Sequence, residues 1–199
     1  KNRYGIDIWS DDNFFIEDGV VKVNYKPYPS LIKIVKDVRK QGFKGPLLLR
    51  FPHITKKQVK TLFNTFNASI KEYDYKGKFN AVFPLKVNQL PNFIHPLVAA
   101  GKKYNYGLEA GSKAELIIAM TYNNMGSPIT INGFKDKEMI HLCFIAKSMG
   151  HDITVIIEGL NELEMILEVL KETKMEAPNV GLRVRLHSGG SGVWAKSGG

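Results

Sequence analysis

From Pro46 onward, short apolar runs of strand character alternate with stretches that carry the 3.6-residue periodicity of helices. PLLLRF, FNAVFPLK, YNYGLEA, PITING, ITVIIE and NVGLRVRL read as strands. Helices are read after Thr55, through LVAAG, and as stretches containing KAELIIAMTY, DKEMIHLCFIAKSM and LNELEMILEVLKET. Apolar strands joined by crossover helices make a parallel sheet, because each helix must carry the chain back before the next strand can run the same way. Such a sheet either closes into a (β/α)8 barrel or stays open and doubly wound. Polar residues or glycines end nearly every strand: Lys86, Glu109, Asn132 with Gly133, Glu158, and Arg185 onward. All of them would face one rim. A barrel gathers reacting groups at such a rim, and no phosphate-binding glycine fingerprint follows PLLLRF, as an open dinucleotide-binding sheet would have. The expected fold class is therefore α/β, a TIM-type (β/α)8 barrel that is incomplete in this chain.

The first residues differ in character. From Tyr4 to Tyr25 the pattern is short and extended, with YGIDIW and GVVKVNY alternating around the turn signal EDG, which predicts a small β element. Pro27 and Pro29 punctuate the chain, Ser30 is placed to cap the amphipathic helix LIKIVKDVRK, and Gly42 to end it. Residues 1–28 are thus expected to form an N-terminal β element belonging to a second β domain, and residues 29–199 the first part of the barrel. The chain starts without methionine and stops after a run rich in glycine and serine. It is read as a portion of a longer protein.

Composition removes several classes of function. No apolar run approaches the roughly 20 residues needed to span a bilayer, and the start lacks the apolar stretch of a signal peptide. The single cysteine, Cys143, lies in the apolar stretch MIHLCFIAKSM, so it reads as core and a cytoplasmic location is expected. The formal charge of +9 would suit a nucleic-acid partner only if the cations clustered. Instead Lys33, Lys36, Lys40, Lys56, Lys57 and Lys60 are scattered over helical stretches as on solvated faces, and no nucleic-acid module is visible. Neither nucleic acid nor membrane is expected as a partner.

Lys86 closes an otherwise apolar strand in FPLKVNQ, where desolvation would favour the neutral, nucleophilic amine that condenses with a carbonyl. A lysine snorkelling from a strand end fits the same pattern. In LEAGSKAEL, Ser112 and Glu115 have capping-box spacing, which leaves Glu109 before the helix, at the strand's mouth, free to orient a cofactor or a basic partner. Arg183 and Arg185, two apart in LRVRL, share one face of their strand. If that face lines the mouth, each guanidinium needs a partner, with Glu109 or a cofactor oxygen the obvious one. The tail HSGGSGVWAKSGG reads as a flexible loop or a phosphate nest, and Trp194 within it points to a segment that packs when ordered, as a lid does.

The segments FPLKVNQ, LEAGSKAEL, NGFKDKE, VIIEGLNEL, LRVRL and GSGVWAKSGG occur in this order over essentially the whole chain. Together they resemble the N-terminal portion of the biosynthetic arginine decarboxylases of bacteria, within the alanine racemase-like fold type III pyridoxal phosphate enzymes. The resemblance implies decarboxylation of L-arginine to agmatine and carbon dioxide, the first step of the agmatine route to polyamines such as putrescine and spermidine. It implies pyridoxal phosphate held as a Schiff base on Lys86, with Glu109 and Arg183 beside the cofactor, magnesium as a second cofactor, and a homodimer or higher homo-oligomer. His187 and Ser188 fall at variable positions, and Val193 stands where a lysine is expected. The phosphate loop, the glutamate facing the pyridine nitrogen and the substrate-binding residues would all lie beyond Gly199, so the fragment alone is expected to be inactive. A net positive charge opposes a cationic substrate, so local carboxylates must receive its guanidinium. The alternatives are another basic amino-acid decarboxylase of this fold (ornithine, lysine or diaminopimelate), a noncatalytic pyridoxal phosphate carrier, and a phosphate-binding barrel without the cofactor.

Overall fold

The structure is a computed structural model that describes residues 5–184, so Arg185, His187, Ser188, Val193 and Trp194 lie outside the described residues. The chain divides into two compact units between Lys57 and Gln58.

In the first unit, β1 (Phe14–Glu17) and β2 (Val20–Val23) pair antiparallel, with Glu17 opposite Val20. Asp18 and Gly19 between them adopt φ of 50° and 74°. Two successive left-handed residues match the twist of a hairpin, and Asp-Gly reaches that conformation at low cost. The helix α2 (Leu31–Lys40) opens where the sequence places its cap, with the Lys33 N–H donating to Ser30 Oγ at 3.2 Å. Two expectations fail here. YGIDIW is not a strand: Ile6–Trp9 forms a single helical turn, α1, closed by Ser10 N–H donating to Ile6 O at 2.9 Å. Over four residues with one buried apolar side chain, alternation fits a helical turn as well as it fits a strand. PLLLRF is not a strand either, because a strand exists only through lateral hydrogen bonds and no described strand pairs with it; Leu48 is 77% exposed.

Helix α3 (Pro52–Glu72) starts ahead of Thr55, with Pro52 in the first turn, where its missing N–H would have no helical partner anyway. In the second unit it buries Val59 and Phe63, and Phe63 stacks on Tyr104 with ring centroids 4.6 Å apart. The strands β3 (Val82–Pro84), β4 (Gly107–Ala110), β5 (Pro128–Ile131), β6 (Asp152–Ile157) and β7 (Asn179–Leu182) form a five-stranded, all-parallel sheet in chain order. Strand-to-strand connections run through α4 (Pro91–Gly101), α5 (Lys113–Tyr122), α6 (Lys137–Ser148) and α7 (Leu160–Thr173). The α/β class with a parallel sheet is as expected. The described order shows no reversal, the feature that marks the binding crevice of doubly wound sheets.

The pleat sorts side chains between the two faces. Leu108, Ala110, Ile129, Ile131, Ile153, Val155 and Ile157 are buried in one core with the helices, while Glu109, Thr130, Thr154 and Ile156 on the opposite face are only half-buried. Helix α6 adds Met139, Ile140, Cys143, Phe144 and Ala146 to that core, none more than 2% exposed. Burial pushes the Cys143 thiol up to about 12, so it packs as a small apolar group. At the surface Lys113 reaches Asp136 at 2.8 Å, and Lys137 reaches Glu168 at 2.9 Å and Glu172 at 2.7 Å. Exposed pairs of this kind orient neighbouring helices and add little stability. Among the described residues no helix is long and apolar enough to cross a membrane.

Gly107 sits where β4 passes closest to its neighbour, since a Cβ there would meet Pro128 O at 1.9 Å. The contact is with backbone, so no rotamer relieves it. Gly107→Ala should therefore force β4 and β5 apart and destabilise the protein by about 1–3 kcal/mol, read as a lower melting temperature.

Candidate active site

Because the strands are parallel, their C-terminal ends share one edge of the sheet, and the polar residues that end them meet there. Lys86 lies in the turn after β3, closed by Val87 N–H donating to Pro84 O at 3.1 Å. β3 is short because Pro84 cannot donate to a ladder; Leu85 N–H extends the pairing by one bond, to Glu109 O at 2.9 Å. Leu85 is fully buried and pins the turn, while Lys86 is exposed. The desolvation expected of Lys86 is therefore not supplied by the described residues. Its Nζ makes no hydrogen bond or ion pair among them.

Glu109, on the face of the sheet turned away from the helices, is half-buried, and its Oε2 accepts a hydrogen bond from Asn132 Nδ2 at 2.7 Å. The following loop is held by Glu115, whose N–H donates to Ser112 Oγ at 3.3 Å as the capping box predicts. The carboxylate of Glu115 accepts from the Gly111 N–H at 2.7 Å, one residue before the cap. Gly133, with φ of 79°, turns the chain out of β5, and its N–H donates to Glu158 Oε1 at 2.9 Å.

Arg183 follows β7 and keeps the pairing, with its N–H donating to Ile157 O at 3.0 Å. Among the described residues its guanidinium partner is Glu158, at 3.3 Å from Nη1, and of the two partners the sequence offered, Glu109 or a cofactor oxygen, Glu109 is not the one it meets. The register explains the difference. Ile157 pairs with Leu182, so Arg183 lies beside Glu158 on the adjacent strand, whereas Glu109 lies on the far side of β5.

The structure brings Lys86, Glu109 and Arg183 together along one cleft of about 740 Å³, which Thr130, Asn132, Gly133 and Ile156 also line. Two residues that sequence reasoning passed over complete the arrangement. Lys135 and Glu162, 0% and 3% exposed, form a buried pair with Nζ to Oε2 at 3.1 Å beneath the β5–α6 and β6–α7 loops. Both fall inside segments that carry the family resemblance, NGFKDKE and VIIEGLNEL, but neither was singled out as a site residue. The signal that could have found them is that Lys135 and Glu162 each stand within five residues of a strand end, where a charge close to the sheet needs a partner. Among the described residues no group of three or more His, Cys, Asp or Glu converges in a way that could hold a metal ion.

No family model matches the chain. It is 41% identical over 204 residues to the biosynthetic arginine decarboxylase of Citrifermentans bemidjiense, covering 98% of this chain and 32% of that protein. It is 37% identical over 205 residues to that of Tolumonas auensis, again covering 98% of this chain and 32% of the relative. The crystal structure of the biosynthetic arginine decarboxylase from Campylobacter jejuni matches with a TM-score of 0.89 and 60% identity, over 93% of this chain and 31% of that one. The chain thus spans about a third of the length of the relatives it matches, 32% of each of these two.

Proposed function

We propose, from a similarity to biosynthetic arginine decarboxylases that runs over nearly the whole chain, that this is a portion of such an enzyme, with pyridoxal phosphate held on Lys86. The reaction is decarboxylation of L-arginine to agmatine and carbon dioxide, feeding polyamine formation, in a cytoplasmic homo-oligomer. In this reading residues 29–199 are the first part of a closed (β/α)8 barrel, and residues 1–28 lend a β element to a second domain. Three features support the barrel: strands in unbroken chain order, a polar face turned from the helices, and an uncovered flank on α7. That flank carries Leu163, Leu167 and Leu170, which are 36–56% exposed, where a further helix would pack.

The observation that carries the reading is the convergence of Lys86, Glu109 and Arg183, from three different strand ends, on one cleft in a chain with these relatives. The lining fits the cofactor chemically. Lys86 presents a primary amine with no partner among the described residues, the group that holds an aldehyde covalently. Arg183 has guanidinium donors beyond the one taken by Glu158, and these can meet cofactor oxygens. Glu109 is fixed by the Asn132 amide and so presents a carboxylate of set direction rather than a mobile one. Thr130 and Ile156 also line the cleft and would offer a wall to a planar ring. When bound, the cofactor supplies the electron-accepting ring that makes loss of the α-carboxylate as carbon dioxide possible. The described residues do not fit the magnesium that the family resemblance implies, and no step is assigned to it.

The test is an absorbance spectrum of the full-length protein with pyridoxal phosphate, before and after borohydride reduction, with peptide mapping of the adduct. A label on Lys86, together with release of agmatine from arginine in preference to decarboxylation of ornithine, lysine or diaminopimelate, is the expected outcome. A label elsewhere, or no adduct, would overturn the assignment.

A further inference from the structure

Lys135 and Glu162 lie below the cleft rather than in it, and the reading above gives them no role. Burying both charges is costly, because desolvation offsets most of their attraction, so net stability is a poor reason for the pair. What the pair supplies is direction. Glu162 Oε1 accepts from the Lys135 N–H at 3.3 Å and from Lys135 Nζ at 3.2 Å. Glu162 Oε2 accepts from Lys135 Nζ at 3.1 Å and from the Glu158 N–H at 2.9 Å. Lys135 Nζ also donates to the carbonyl of Gly133. One carboxylate and one ammonium therefore grip the backbone of both mouth loops, at Gly133 and Lys135 after β5 and at Glu158 after β6.

We propose that Lys135 and Glu162 are positioning residues, which set Glu158 and through it the guanidinium of Arg183 in the cleft wall. One of the gripped loops carries the acceptor atom and the other supplies one of its two donors. Glu158 Oε1 receives the Gly133 N–H at 2.9 Å and Arg183 Nη1 at 3.3 Å. Gly133 is held through its carbonyl by Lys135, and Glu158 through its N–H by Glu162, so releasing the pair frees both ends of this contact at once. Arg183, at the end of β7, is then left with an acceptor that moves. Beyond the geometry, the inference rests on the proposed use of the cleft only for the identity of the ligand.

The experiment uses the full-length protein carrying Lys135→Met with Glu162→Gln, which removes both charges, conserves volume and keeps one acceptor oxygen. The first readout needs no cofactor: the rate at which phenylglyoxal modifies Arg183, mapped by mass spectrometry. It should rise several-fold in the double variant. A stability control, Val169→Ala, removes core volume at a buried site in the distal half of α7. It should lower the melting temperature without changing the labelling of Arg183. The second readout is the affinity for pyridoxal phosphate, expected to fall roughly tenfold, the scale of an outer-shell loss. The loss should be non-additive with Arg183→Lys, because both changes act through one contact. Should the double variant fail to fold, Lys135→Gln with Glu162→Gln, which also removes both charges but leaves two amides able to hydrogen-bond to each other, should move the labelling in the same direction by less. Unchanged labelling in the folded variants, or an equal rise in the control, would overturn the positioning role. A wild-type protein that binds no pyridoxal phosphate would sink the proposed function while the labelling still decides this inference.

Discussion

In the full-length protein, Lys86→Ala is expected to lower turnover of L-arginine by roughly 10³-fold or more, the scale of removing a covalent catalytic group, with the melting temperature unchanged. The two halves of this expectation have different sources. Stability should hold because Lys86 is exposed in the turn after β3 and has no partner among the described residues, while its neighbour Leu85 carries the burial. Activity should collapse because no other described amine lines the cleft. Lys86→Arg separates chemistry from charge. The guanidinium keeps the positive charge at the end of β3 but cannot condense with an aldehyde at neutral pH, so it should be as inactive as alanine. Turnover retained by Lys86→Arg would reduce the role of Lys86 to electrostatics. A fall in melting temperature with either variant would make the turn itself structural.

How far the sequence disclosed this arrangement depended on whether each signal was local. Helix α5 was legible as a helix containing KAELIIAMTY because its cap, Ser112, and its periodicity lie next to each other in the sequence. The Asp-Gly hairpin turn and the Ser30 cap were legible for the same reason. PLLLRF has the same apolar composition as ITVIIE, yet only the latter is a strand, because composition cannot say whether a lateral partner is at hand. The convergence of Lys86, Glu109 and Arg183 was foreseeable once the strands were taken as parallel, since parallel strands must end at one edge. Their partners were not foreseeable. That Arg183 meets Glu158 and Glu109 meets Asn132 follows from register between adjacent strands, which a single sequence does not encode in any short motif. The buried pair of Lys135 and Glu162 is the extreme case. Its two members are separated by all of α6 and β6, and each alone has the look of a surface charge.

The largest loss of stability is expected from Phe144→Ala, at about 3–5 kcal/mol for emptying a fully buried aromatic site. Phe144 is 0% exposed on the face of α6 that also presents Ile140 and Cys143 to the sheet, so no solvent can fill the space left behind. Its neighbours are constrained. Ile129, Ile131, Ile153 and Val155 are held in register by the parallel ladder, which limits how far the core can collapse around the cavity. A domain stable by about 5–15 kcal/mol would lose a large part of its margin, visible as a fall in melting temperature and in the urea midpoint. Leu167→Ala, at a position 56% exposed on the flank of α7, gives the contrast. If that flank is bare in the whole protein the change should cost under about 0.5 kcal/mol; if a further barrel helix covers it, the cost should approach the 2–5 kcal/mol of a buried leucine. The pair of measurements therefore reads two things. Phe144→Ala reports whether the layer between sheet and helices is the core on which the cleft is built, and a cost no larger than a surface change would refute that. Leu167→Ala reports whether that flank of α7 is covered in the whole protein, as the next helix of a closed barrel would cover it.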